Sequence, residues 1–122
     1  MKKILLIATL LLGIVFVGSQ QIGAKMNTNY TQVRAEHILV QTQEEAKNIK
    51  ADIESGKISF EDAAKEYSKC PSKANGGDLG YFGRGMMVKE FENASFDGEK
   101  GKVSDPVQTQ FGWHLIKVID KK

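Results

Sequence analysis

Two runs of alternating side chains constrain this chain more than anything else in it. They are Arg34–Val40 and Trp113–Asp120. Each is rich in branched residues with a period of two, the signature of a half-buried strand. Each also carries one of the only two histidines, His37 and His114, 77 positions apart. His37 shares a face with Leu39, and His114 shares one with Ile116 and Val118. Imidazole titrates near neutral pH and both donates and accepts hydrogen bonds. Two imidazoles in mid-strand, with a lone cysteine between them in sequence, point to a site. The plainer reading makes both histidines hydrogen-bonded core residues.

Between these strands the local signals alternate. Thr42-Gln-Glu-Glu45 is a capping box, a hydroxyl followed three positions on by a carboxylate. It opens a helix predicted to reach about Ser55, with Ala46, Ile49 and Ile53 on one face and Gly56 as the stop. Ser59 caps a second helix whose apolar stripe is Phe60, Ala63, Ala64 and Tyr67. Cys70-Pro71 is expected to end it. Asn75–Asp78 signals a turn, Leu79–Phe82 a short strand, and Val88–Phe96 a third helix presenting Phe91 and Ala94. Gly101–Val103 reads as another short strand, followed by a turn at Asp105-Pro106. Tyr81 and Phe82 are expected in the core, Trp113 on the face opposite His114, and Asp78 as a turn acceptor. The pattern is α+β: a small antiparallel or mixed four-stranded sheet with three to four helices against it.

The first residues follow another rule. Lys2 and Lys3 precede an apolar run, Ile4–Gly18, and small residues follow. That is the form of a secretory leader, with Ser19 or Ala24 as cleavage positions. The run is shorter than the ~20 residues of a spanning helix, and an uncleaved N-terminal tether through residues 4–18 is the alternative. Residues 1–24 are therefore read as leader or anchor, 25–32 as linker and 33–122 as the folded domain, in an extracytoplasmic compartment. Without Lys2 and Lys3, the 17 basic side chains fall to the same number as the 15 acidic ones. No basic stripe with interleaved aromatics remains, so nucleic acid is not expected as a partner. A single cysteine allows no internal disulfide.

The chemistry open to two histidines and one cysteine is limited. Zinc would need a close Cys-x₂₋₄-Cys or His-x₃₋₅-His spacing, which is missing, so no metal is expected. A cysteine protease would need an orienting Asn or Asp and an oxyanion hole. The glycine-rich stretch Asn75–Gly80 lacks the Gly-Lys-Ser/Thr ending of a phosphate loop.

Four motifs in order then carry a resemblance. They are Ala35-Glu-His-Ile-Leu-Val40, Tyr67-Ser-Lys-Cys-Pro-Ser72, Asn75–Met87 with its Gly-Gly-Asp-Leu-Gly core, and Pro106–Val118 with Phe-Gly-Trp-His. From Arg34 to Val118 the chain closely resembles the parvulins, peptidyl-prolyl cis/trans isomerases. The resemblance implies a non-covalent isomerase of X-Pro bonds in unfolded or exported polypeptides, without a cofactor and as a monomer. It implies a floor formed by His37 and His114, with Cys70 beside them and Thr109 bonded to the pair. It also implies a proline pocket of Leu79, Met87 and Phe91. A non-catalytic holdase using the same groove is the alternative. Two departures stand out. Many relatives have a proline just before the helix that bears the pocket aromatic, where this chain has Val88-Lys-Glu-Phe91. The loop Gln41-Thr-Gln43 lacks the basic cluster of the phosphate-dependent members, so phosphate recognition is not expected.

Overall fold

The computed structural model describes residues 30–122. The expected leader and most of the linker lie outside them. Eight elements follow in order: β1 (Gln32–Val40), α1 (Gln43–Glu54), α2 (Phe60–Tyr67), a 3₁₀ turn (Pro71–Asn75), β2 (Asp78–Gly83), α3 (Lys89–Asp97), β3 (Val107–Thr109) and β4 (Gly112–Lys121). The four strands form one sheet in the order β2-β1-β4-β3, and every neighbouring pair is antiparallel. The two histidine-bearing strands are thus the adjacent central pair.

Local chemistry explains the helix starts. The Thr42 hydroxyl accepts the Glu45 N–H at 3.1 Å, and Ser59 accepts that of Asp62 at 3.0 Å. Each satisfies a backbone donor that the first turn leaves without a partner. α3 starts at Lys89 without a side-chain cap and without the proline common in the family.

Alternation divides the core into two layers. Ile38, Val40 and Leu115 turn one way and pack on Ala46 and Ile49 of α1 and on Phe60, Ala63 and Ala64 of α2. Trp113 joins this layer, on the face opposite His114. Val33, Ala35, Ile116 and Val118 turn the other way, with Phe82 from β2 and Phe91 and Phe96 from α3. Both helical layers hold down the sheet by burying apolar surface.

Three local expectations are corrected. α2 ends at Tyr67, ahead of Cys70-Pro71, because Ser68 turns its hydroxyl to β1. That hydroxyl accepts the N–H of Leu39 at 3.0 Å and of Cys70 at 3.3 Å. Pro71 opens the 3₁₀ turn instead, a position where its missing N–H costs nothing. The short strand expected at Gly101–Val103 is reduced to isolated bridges, Lys100 to Val118 and Val103 to Lys117. The fourth strand is Val107–Thr109, whose pairing with Gly112–His114 defines it. Tyr81 lies outside the core at 38% exposure, donating its hydroxyl to Asp120. Asp78 does act as a turn acceptor, taking the Gly80 N–H at 2.9 Å, and it also holds Arg34 at 2.6 Å.

Candidate active site

In the β1–β4 register Leu39 lies opposite His114 and His37 opposite Ile116. The two histidines are therefore diagonal neighbours on one face, within reach of each other. Their Nδ1 atoms stand 3.1 Å apart with the rings 18° from parallel. Both side chains are buried, at 5% and 4% exposure. Phe91 from α3 sets its ring edge-on to both, with centroids 5.3 Å from His37 and 5.2 Å from His114.

Each outer ring nitrogen has a hydroxyl partner. Thr109 Oγ1 is 2.7 Å from His114 Nε2, and Ser72 Oγ is 3.1 Å from His37 Nε2. Thr109 Oγ1 also accepts the Phe111 N–H at 3.1 Å. Those contacts select a direction for the chain. With Thr109 donating to His114 Nε2, His114 donates through Nδ1 to His37, and His37 donates through Nε2 to Ser72. Every group is then satisfied. The reverse sense leaves the buried Thr109 proton without an acceptor. The tautomers follow from this network of contacts.

Both imidazoles are held neutral. Burial lowers His37 from 6.5 to about 4, with the nearby His114 adding to the effect, and burial alone lowers His114 to about 4. The floor is therefore polar and uncharged at neutral pH.

Above this floor opens a cavity of about 490 Å³, within the range of small-molecule sites. Leu79, Met87 and Phe91 form its apolar wall, and Leu39, on the same face as His37, completes the base. Cys70 also lines the cavity, as a half-buried free thiol. The structure thus gathers His37, His114, Cys70, Leu79, Met87 and Phe91 around one cavity, with Thr109 behind the floor. Among the described residues no hydrogen bond joins the Cys70 thiol to either imidazole, and Ser72 holds that position.

Ser72, Met86 and Phe111 were not singled out by sequence reasoning. Ser72 stood inside the Cys-Pro-Ser motif, which marked it without assigning a role. Met86 and Phe111 line the cavity at 67% and 62% exposure. No pattern distinguishes such rim residues from ordinary loop residues.

The segment after α2 is fitted tightly to β1. The Gly77 carbonyl accepts the His37 N–H at 2.9 Å. A Cβ at Gly77 would lie 2.4 Å from the His37 carbonyl oxygen, and its φ is +88°. Only glycine meets both demands. The glycine pair predicted as a turn therefore also fixes the strand beneath the imidazole.

The family model described as "Rotamase: PPIC-type PPIASE domain" matches residues 22–120. The chain is 53% identical over 92 residues to the foldase protein PrsA of Geobacillus kaustophilus, covering 75% of this chain and 32% of that one. The crystal structure of the peptidylprolyl isomerase PrsA from Bacillus anthracis superposes with a TM-score of 0.73 at 44% identity, over 83% of this chain and 47% of that one. The solution structure of the parvulin of Nitrosopumilus maritimus gives 0.67 at 43% identity, over 74% of this chain and 97% of that one. The chain spans about a third of the length of the curated relatives it matches.

Proposed function

The chain belongs to the PPIC-type peptidyl-prolyl isomerase, or rotamase, family, and on that premise we propose that it accelerates cis/trans rotation of X-Pro bonds in unfolded polypeptides without a covalent step. One observation carries this reading: an apolar cavity the size of a short peptide segment, floored by two neutral imidazoles bonded to each other. Rotation about the prolyl amide meets a barrier of ~18–20 kcal/mol because the twisted form loses resonance. Catalysis then requires tighter binding of the twisted form than of the planar one. Leu79, Met87 and Phe91 grip the proline ring and hold it while the rest of the peptide turns. The twisted amide is less polar than the planar amide, so a cavity that excludes water favours it.

His37 and His114 keep the floor polar without charge. Thr109 is a positioning residue that acts through His114, and Ser72 acts likewise on His37. Cys70 borders the reacting bond and adjusts the polarity of that wall. The substrates are proline-containing unfolded chains, met outside the cytoplasm after export through residues 1–24. The leader pattern supports that location, and residues 4–18 tether the chain where the leader stays uncleaved; among the described residues no helix is long and apolar enough to cross a membrane. A monomer suffices, since one chain supplies the whole cavity.

Isomerisation of a proline tetrapeptide, followed by magnetisation exchange, tests the reading. Exchange should be faster than the uncatalysed process, which takes tens to hundreds of seconds, and the acceleration should collapse in the His37→Ala, His114→Ala double variant. Peptide binding without acceleration would replace this reading with that of a holdase. Loss of turnover in both Cys70→Ala and Cys70→Asp would favour a thiol-specific step.

A further inference from the structure

Glu36 is a buried acid outside the cavity, next to His37 on β1 but on the opposite face of the sheet, the face of Ile38 and the two N-terminal helices. Its partners in the strand register are Asp78 on β2 and Lys117 on β4. Asp78 is taken up by Arg34 of β1, and Lys117 by Glu61 of α2 at 3.5 Å. The Glu36 carboxyl faces that same Glu61. As two carboxylates neither can donate to the other, and Glu36 Oε1 is left buried without a partner. One proton on Glu36 removes the conflict. The acid then donates to Glu61, which stays ionised against Lys117. Arg34, Asp78, Glu61 and Lys117 balance in charge, so an ionised Glu36 would add a buried, uncompensated anion.

The same elements support the imidazole floor. α2 backs onto the glycine pair: a Cβ at Gly76 would lie 3.0 Å from Glu61 Cβ, and one at Gly77 would lie 3.2 Å from Ala64 Cβ. Gly77 in turn joins β1 to the 3₁₀ turn. Its carbonyl accepts the His37 N–H and its own N–H donates to the Ser72 carbonyl, both at 2.9 Å. The Ser72 hydroxyl then meets His37 Nε2 at 3.1 Å. Repulsion between β1 and α2 at Glu36 is therefore felt at both the backbone and the ring of His37.

We propose that Glu36 and Glu61 are positioning residues, which hold His37 and Ser72 in register while they share one proton and release them when it is lost. This rests on the isomerase reading. Burial beside Glu61 places the loss of that proton at a pH of about 8. A displaced floor weakens what the site offers the twisted amide more than what it offers the planar one, so kcat should respond more than KM.

Isomerisation of Ala-Ala-Pro-Phe would be followed by magnetisation exchange from pH 6 to pH 9.5, with the carbonyl-carbon shift of Gly77 and the far-UV circular dichroism recorded on the same samples. In the unmodified protein kcat should be level to about pH 7.5 and about tenfold lower at pH 9. The Gly77 shift should move over the same range while the circular dichroism stays constant. Glu36→Gln keeps a donor for Glu61 and cannot ionise. It should retain both the low-pH kcat and the low-pH Gly77 shift to pH 9.5. An alkaline loss of kcat that persists in Glu36→Gln, a loss that tracks the far-UV signal, or a parent kcat level to pH 9.5 would overturn the role of the pair and leave the isomerase reading intact. Acceleration of the peptide at no pH would remove both.

Discussion

Acidification from pH 7 to pH 5 should leave the histidine pair uncharged. An ordinary imidazole with pKa 6.5 is about three-quarters protonated at pH 6, whereas one at about 4 is protonated to roughly 1%. The cause lies in the structure. A proton added to either ring would sit buried, 3.1 Å from a second imidazole and without a carboxylate to balance it. The unfolded chain has no such obstacle and takes up protons as the pH falls past 6.5. The stability contributed by the neutral pair is therefore full above that value and lost as pH falls toward 4. At about 1.4 kcal/mol per tenfold change, a fall from 6.5 to about 4 amounts to roughly 3 kcal/mol for one ring. The two rings share a hydrogen bond and titrate as a coupled pair, so together they should contribute about that much rather than double. Ring-nitrogen chemical shifts of a uniformly labelled sample report each imidazole directly, and the isomerisation rate can be followed in the same tubes. Both rings should stay neutral, and the rate flat, from pH 7.5 to 5.5. A ring half-protonated above pH 5.5, or a rate that fades along an ordinary histidine titration, would refute the view of a dry neutral floor.

Thr109→Val removes the partner of His114 Nε2 and of the Phe111 N–H at nearly constant volume; urea denaturation should show a loss of about 1–3 kcal/mol, together with a drop in kcat, and an unchanged kcat would remove Thr109 from the positioning network. Glu36 is 8% exposed, with Oε1 lacking a hydrogen-bond partner, and burial beside Glu61 raises its pKa from 4.5 to about 8. The fold thus holds a proton that the unfolded chain has already lost, so stability falls as pH rises through that range; Glu36→Gln should suppress this fall, gaining about 2–3 kcal/mol on the parent between pH 6 and pH 9 in urea melts, and parallel curves would contradict it. Gly77→Ala places a methyl against the His37 carbonyl oxygen at a positive φ; thermal melting should reveal a loss of more than about 2 kcal/mol, and a wild-type midpoint would show that the loop yields freely.

The elements that announced themselves did so through local chemistry. Thr42 and Ser59 started their helices because a hydroxyl satisfies a nearby backbone donor whatever lies elsewhere in the chain. The alternation in Arg34–Val40 and Trp113–Asp120 placed each histidine on a known face of its strand, since side chains alternate with period two. Signals fade where structure depends on a partner. Val107–Thr109 has only three residues, too few to show alternation, and β4 makes it a strand. α2 stopped early because Ser68 found β1, a contact across 29 positions.

The family motifs marked the histidines, the thiol and the three apolar residues, but they carried no distances. Glu36 reads in sequence as one more polar residue of a strand. Only the packing of α2 against β1 makes it a buried acid. Residue types and their order along the chain determined the elements, the face each histidine occupies and the family. The register between β1 and β4, which set one imidazole diagonally to the other, and the docking of α3 and the Ser72 turn over that pair were decided by tertiary structure. The physical reason is range: caps and periodicity act within a turn or a strand, whereas desolvation and hydrogen bonding in the site join groups up to 77 positions apart.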